Sequence, residues 1–428
     1  MTAVRTGPDL GDLGTVLDSF LADADAELAT RYPGDRAVRQ PVHTVYVPAD
    51  RYDGDTVAGW GRAALDLLDE HGGSDAELAD LLDVEASLAA DVRRLVRAKL
   101  ATEPVEDLRV DFEDGYGSRS DEEEDAAVLA AAAHLARTVR AGTATPFFGV
   151  RIKSFEAATR RRGLRTLIRC VAELDALGGL APGFRVTFPK VTSVAQVEAL
   201  VLTCERLEQV HALEAGRLSF EIQVETPQSI LAADGTVLVS RLIGAAQGRC
   251  SALHYGTYDY SASVGVAARY QSMEHPAADH AKAVLQVAAA GTGVQVSDGS
   301  TNVLPTGDRT AVRAGWRNHA RLVRRSLERG FYQGWDLHPG HLPSRFLATY
   351  AFYREGLPEA TTRLRAYLGR ADSGFLDEPA TAAALAGFLL RAVECGAVRD
   401  DEIADHVGID RGLLAELARR PAGAQETS

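Results

Sequence analysis

FRVTFPKVTSVAQVEALVLTCERLEQVHALEAGRLSFEIQVET, residues 184–226, contains one complete strand–helix–strand unit. Its ends, FRVTFPK (184–190) and LSFEIQVET (218–226), are short runs rich in β-branched and aromatic residues. Between them VAQVEALVLTCERLEQVHAL places apolar residues at helical spacing. Two strands joined by a crossover helix lie parallel in one sheet. The same alternation runs from residue 43 to about residue 350. Its other strand-like runs are HTVYVPA (43–49), LRVDFED (108–114), FFGVRIK (147–153), CSALHYGTYD (250–259), VQVSDGS (294–300) and YQGWDLHP (332–339). Helix-like segments such as DEEEDAAVLAAAAHLARTVRA and RRRGLRTLIRCVAELDAL separate them. Eight such runs predict an α/β fold of the closed (β/α)8 type, a TIM barrel. No GxGxxG follows the first run, which argues against an open dinucleotide-binding sheet.

The flanks read differently. Residues 1–40 form an acidic N-terminal helical extension, with Leu17, Phe20, Leu21 and Leu28 near helical spacing, and residues 41–355 are the barrel. Residues 356–420 read as a C-terminal helical cap or lid, and 421–428 as a disordered tail. Within the cap, DDEIADHVGIDRGLLAELARR has helix-turn-helix rhythm about Gly408. Its basic residues do not outweigh its acidic ones, so a cap is favoured over a DNA reader.

Composition narrows the function classes. Of 428 residues, 46% are hydrophobic and 25% charged, enough to bury a core. Acidic residues number 60 against 46 basic ones, a net charge of −14, and a nucleic-acid partner is not expected. Cys170, Cys204, Cys250 and Cys395 show no CxxC spacing. They predict neither a disulfide framework nor a structural zinc site, and fit a cytoplasmic location. No basic-then-apolar leader or run of about 18 apolar residues occurs, so no membrane association is expected.

In a (β/α)8 barrel the catalytic groups stand at the C-terminal ends of strands. Strands themselves are expected to be apolar, which makes their polar ends informative: Asp111, Glu113 and Asp114; Arg151 and Lys153; Lys190; Glu225; Asp259; Asp298; Asp336 and His338. Carboxylates interleaved with cations in one mouth suggest a metal ion and an anionic substrate. Glu225 and Asp259 follow neighbouring strands, about 4.8 Å apart. They can converge on a hard cation completed by water and substrate oxygens, the usual magnesium arrangement. Either alone could instead pair with an arginine or cap a helix. Arg151 lies inside an apolar run and needs a partner against desolvation. Its planar fork suits a substrate carboxylate or an enolate oxygen, or an internal pair with Glu113 or Asp111. Lys190 could form a Schiff base only with a lowered pKa. Its carboxylate-rich surroundings raise the pKa and favour an electrostatic clamp. Arg160, Arg161, Arg162 and Arg165 could meet coenzyme A phosphates or form a solvated helix face. The run DEEED (121–125) suits the first turn of a helix.

Six segments in this order resemble strand ends of the citrate lyase β-subunit family, also grouped as HpcH/HpaI-type aldolases of the phosphoenolpyruvate/pyruvate barrel superfamily. They are DFEDGYG (111–117), VRI (150–152), FPKVTS (188–193), VETP (224–227), YGTYDYSASVG (255–265) and LHPGHLPSRF (337–346). The resemblance covers about residues 43–350 and implies Mg2+, or Mn2+, on Glu225 and Asp259. It implies catalytic roles for Arg151, on the substrate's carboxylate or carbonyl oxygen, and for Glu113 and Asp114, which position that arginine and metal-bound water. Amides around Gly256 and Thr257 would hold the substrate carboxylate, with Lys190, Asp111 and His338 also in the substrate site. The implied activity is reversible cleavage of a carbon–carbon bond beside a carbonyl, through a metal-stabilised enolate. Its substrates would be malyl-, citramalyl- or citryl-thioesters of coenzyme A, or 4-hydroxy-2-oxo acids. Thioester hydrolysis or synthesis, and a non-catalytic barrel binding a small acid, are the alternatives. The resemblance also implies a homo-oligomer, trimer or hexamer. Lys153 and His341 depart from the family's usual Asn and Gln. The region after 355 departs too, leaving the general base unmatched.

Overall fold

The computed structural model describes residues 12–36, 38–369 and 378–419. The tail expected at 421–428 lies outside them, as does the start of the N-terminal extension. Eight strands form one sheet: β1 (His43–Pro48), β2 (Asp107–Asp111), β3 (Phe147–Arg151), β4 (Phe184–Phe188), β5 (Phe220–Val224), β6 (Cys250–Tyr255), β7 (Gln295–Ser297) and β8 (Gly334–Asp336). Their order is β7-β6-β5-β4-β3-β2-β1-β8 and every pairing is parallel. A parallel bridge between Ser297 and Gln333 brings the outer edges together. There the Asp298 N–H donates to the Gln333 carbonyl at 2.8 Å, and that of Trp335 to Gly299 at 3.1 Å. Each expected run contains a strand, and the fold is the (β/α)8 barrel.

Alternation along the strands sorts side chains to two faces. Leu108 and Val110, Phe148 and Val150, Val186 and Phe188, and Ile222 and Val224 are buried in the hydrophobic core. The other face corrects the expectation of apolar strands with polarity only at their ends. Asp107, Arg109 and Asp111 of β2, Thr187 of β4, Glu221 and Gln223 of β5, and His254 of β6 are all buried as well. This polar set is largely paired within itself, as buried charge must be, although His254 Nε2 makes no hydrogen bond. The fully buried Arg109 donates to Thr187 Oγ1 at 2.9 Å and to both Glu221 oxygens at 2.5 and 3.2 Å, and also pairs with Asp107. Burial alone would raise the Glu221 carboxyl, but Arg109 and His254 hold it well below the ordinary carboxylate range. To reach β4 and β5 the arginine passes β3 at Gly149, where a Cβ would collide with the Arg185 carbonyl oxygen.

Two charge runs of the periphery are each other's partners. Ser120 and Glu123 form a capping box at the start of the helix Asp121–Ala141, with Asp121 to Glu124 in its first turn. Asp125 of that helix pairs with Arg162, Arg165 and Arg169 on the next one, Arg160–Ala176. After β8 the helix His341–Tyr367 runs on past residue 355. The helices Pro379–Glu394, Asp400–Val407 and Arg411–Ala418 complete the C-terminal region, with Ile403, Val407, Leu414 and Leu417 buried. Gly408, at φ 81°, caps the middle one. The N-terminal helix Leu13–Arg31 buries none of its residues. All four cysteines are buried free thiols. Among the described residues no helix is long and apolar enough to cross a membrane.

Candidate active site

A cavity of about 450 Å³ opens at the C-terminal ends of the strands. Of the expected residues, Asp111, Asp114, Arg151, Glu225, Gly256, Thr257 and Asp259 line it. Glu113 and Lys190 stand against this set. Arg151 Nη1 lies 3.5 Å from Glu113 Oε2, and Lys190 Nζ contacts Glu113, both Asp114 oxygens at 3.0 Å and Asp259 at 3.4 Å. His338 is placed apart: its Nδ1 accepts the Gly340 N–H at 3.0 Å at the start of the helix after β8.

Arg151 is both partnered and aimed. Its Nε and Nη2 donate to the two oxygens of Asp111 at 2.7 and 2.6 Å, and its guanidinium lies 4.8 Å above the Tyr46 ring. The bidentate edge is therefore committed within the protein. Nη1, which also reaches Gln223 Oε1 at 3.4 Å, is the nitrogen left for a ligand. Asp111 in turn accepts the N–H groups of Glu113 and Gly115 at 2.9 and 2.8 Å, so the loop after β2 is built around the arginine's partner.

Lys190, two residues past the end of β4, lies in the left-handed region, at φ 52°, a conformation that costs energy for a residue with a Cβ. That turn brings its N–H to Glu225 Oε1 at 2.8 Å while its ammonium faces the carboxylates. Burial works to deprotonate the lysine, but Glu225, Glu113 and Asp114 outweigh it and raise its pKa above the ordinary range. A raised pKa suits a clamp and opposes a Schiff base.

Glu225 is 1% exposed. Burial, opposed by Lys190 and reinforced by Glu113 and Asp259, pushes its carboxyl up to about 8. Burial likewise moves Glu113 up to about 7, against the pull of Arg151. Gly256 is required beside Glu225, since a Cβ there would lie 2.6 Å from Glu225 Oε2. The Gly256 N–H already donates to the Val224 carbonyl at 3.0 Å. Next to it, Thr257 Oγ1 is buried and makes no hydrogen bond.

Glu113, Asp114 and Asp259 thus contact one ammonium and Glu225 the same residue's N–H, a surplus of carboxyl groups that a hard divalent cation would relieve. Among the described residues no group of three or more His, Cys, Asp or Glu side chains forms a ready-made metal cage. The donor set fits an ion of magnesium type, held by one or two carboxylates and otherwise by water and substrate, rather than a fully protein-ligated metal.

Sequence reasoning missed several neighbours. Gln223, buried in β5, donates to Glu225 Oε2 and accepts from Arg151. Its signal was its position two residues before Glu225, on the same strand face. Tyr46, Trp335, Leu337 and Tyr258 also line the cavity. Two expected strand-end carboxylates are structural: Asp298 pairs with the buried Lys282 at 2.9 Å, and Asp336 with Arg345 and His43.

Comparison with known proteins gives the following. No curated protein matches the chain. Among solved structures it is similar to CitE from Mycobacterium tuberculosis in complex with magnesium, acetoacetate and coenzyme A, at 17% identity and a TM-score of 0.47, over 83% of this chain and 98% of that one. Malate synthase from Haloferax volcanii with magnesium and glyoxylate is similar at 14% identity and a TM-score of 0.49, over 90% and 100% of the two chains. An HpcH/HpaI aldolase/citrate lyase family protein from Burkholderia cenocepacia gives 16% identity and 0.37, over 78% and 98%. Residues 21–421 match the model of a family described as a domain of unknown function, DUF6986, and the chain belongs to that family.

Proposed function

We propose that this barrel is a divalent-metal-dependent carbon–carbon lyase acting on a hydroxy acid whose scissile bond lies beside a carbonyl. The observation that carries the reading is the convergence of Arg151, Glu225 and Asp259 on one cavity at the barrel mouth. Glu225 and Asp259 are the residues that would hold magnesium or manganese. When bound, the ion supplies a Lewis acid that favours negative charge on the substrate's carbonyl oxygen.

The remaining contributions come from the chain itself. Arg151, fixed in plane by Asp111 and from beneath by Tyr46, presents Nη1 to a substrate oxygen without having to be ordered at the moment of reaction. Thr257 lines the cavity beside Gly256 and would meet the substrate carboxylate there. Glu113 and Asp114 hold Lys190, which keeps the carboxylate ring together at neutral pH. In the reaction a base removes the hydroxyl proton and that carbon becomes a carbonyl. The bond to the adjacent carbon breaks, its electron pair passes into the neighbouring carbonyl to give an enolate, and the enolate then takes up a proton. No net oxidation or reduction occurs.

The test is carbonyl release from malyl- and citramalyl-coenzyme A and from several 4-hydroxy-2-oxo acids, with and without magnesium. Glu225→Gln serves as control, with magnesium affinity measured by calorimetry. Metal-dependent cleavage absent from the variant is expected, together with weakened magnesium binding. Undiminished magnesium binding by Glu225→Gln would refute the ligand assignment, and silence across the panel would refute the lyase reading.

A further inference from the structure

The mouth cavity has two unlike halves. The charged half is built from the ends of β2, β3, β5 and β6. Adjoining it, Tyr46 and Pro48 of β1, Trp335 of β8 and the following Leu337 line the same space. In the strand order β1 and β8 are neighbours, so these four residues form one continuous wall. An exposed apolar side chain inside a cleft points to an apolar ligand, and Leu337 is 39% exposed there.

This wall is also fixed. The Trp335 indole N–H donates to His254 Nδ1 at 3.1 Å, and its ring packs on Tyr46 at 5.0 Å. The Tyr46 ring carries Arg151 on its other contact, at 4.8 Å. A column Arg151–Tyr46–Trp335–His254 therefore sets the distance from the cationic edge to the apolar wall. Tyr258, held through its hydroxyl by the Asn302 N–H at 2.6 Å, adds a further aromatic ring to the lining. Among the described residues lining the cavity the cations are Arg151, whose Nε and Nη2 are committed to Asp111, and Arg51, exposed at the rim where solvent screens its charge.

We infer that the cavity takes a 2-oxo acid whose acid head lies against Arg151 and Thr257 and whose far end is an uncharged, planar apolar group seated on Trp335, Tyr46 and Leu337. The inference rests on the head-group placement of the proposed function and adds the class of substituent: aryl or similar, rather than a second carboxylate. A wall of this kind discriminates by burial of the apolar group and by leaving a second carboxylate desolvated and unpaired.

The test is binding, read by calorimetry in magnesium chloride, of phenylpyruvate and of 2-oxoglutarate to the intact protein and to Leu337→Arg. Leu337 is partly exposed, so this substitution spares the core. The wild type is expected to bind phenylpyruvate about tenfold or more tighter than 2-oxoglutarate, and Leu337→Arg to shrink or reverse that ratio. Equal affinities, a preference for 2-oxoglutarate, no binding of either acid, or a ratio unmoved by Leu337→Arg would each overturn the inference. Because the ratio is read without turnover, absence of carbon–carbon cleavage would defeat the lyase reading while leaving this one standing.

Discussion

His319 should make the protein lose stability on mild acidification. It lies 1% exposed in the helix Arg309–Glu328, with Nδ1 2.8 Å from Ser344 Oγ and Nε2 3.3 Å from Asp336 Oδ1. Burial, opposed by the hydrogen bond to Asp336 and reinforced by His341, pushes its pKa down to about 3 from the ordinary 6.5. Between those values the unfolded chain binds a proton that the folded chain refuses, so stability falls as pH falls below 6.5. At pH 5 the unfolded imidazole is about 1.5 units below its pKa, and at about 1.4 kcal/mol per unit the loss from pH 8 to pH 5 is about 2 kcal/mol. His338 and His341 are shifted down as well and add to the wild-type loss, whereas Asp336, held far below 3.8, does not titrate in this window. The perturbation is His319→Gln. Urea unfolding at pH 8 and pH 5, followed by the fluorescence of buried Trp316 and Trp335, gives the loss for each protein. The wild type should lose about 2 kcal/mol more than the variant on acidification. Equal losses, or a larger one in the variant, would refute the reasoning.

Other outcomes follow from the site and the barrel interior. Arg151→Lys removes the fork that holds Asp111 and aims Nη1, and steady-state kinetics should show kcat/KM reduced by about 100-fold or more; unchanged kinetics would reduce Arg151 to a structural residue. Borohydride treatment with pyruvate should leave the intact mass unchanged, because carboxylates keep Lys190 protonated; a mass gain on Lys190 would overturn the enolate reading. Gly149→Ala should cost at least about 1–3 kcal/mol in chemical denaturation, since the new Cβ meets the Arg185 carbonyl in the adjoining strand; an unaffected midpoint would show that the strands can separate there.

The barrel was legible because its strands are short runs rich in β-branched and aromatic residues, such as FRVTFPK and LSFEIQVET, between long helical segments. The carboxylates and cations of the mouth were legible for a related reason: charge at the end of an apolar run stands out. Charge within a run does not. Arg109, Glu221 and His254 sat inside stretches read as apolar, and only pairing across strands shows that they face one another. Gln223 was hidden in the same way. Position along the chain does not show that His338 accepts the Gly340 N–H, while its neighbour Leu337 lines the cavity. The wall of Tyr46, Trp335 and Leu337 was illegible for a third reason. Aromatic and aliphatic residues at strand ends look like core until the cavity beside them is seen.

The largely self-paired polar interior around Arg109 has a consequence for how the molecule responds to temperature. Exposing apolar surface on unfolding raises the heat capacity, while exposing polar surface lowers it. A barrel whose inner layers hold Asp107, Arg109, Glu221, Gln223 and His254 should therefore release less heat capacity on unfolding than one of equal size filled with valine and leucine. Its curve of stability against temperature is correspondingly flatter, and for a given maximum the folded state spans a wider interval of heat and cold.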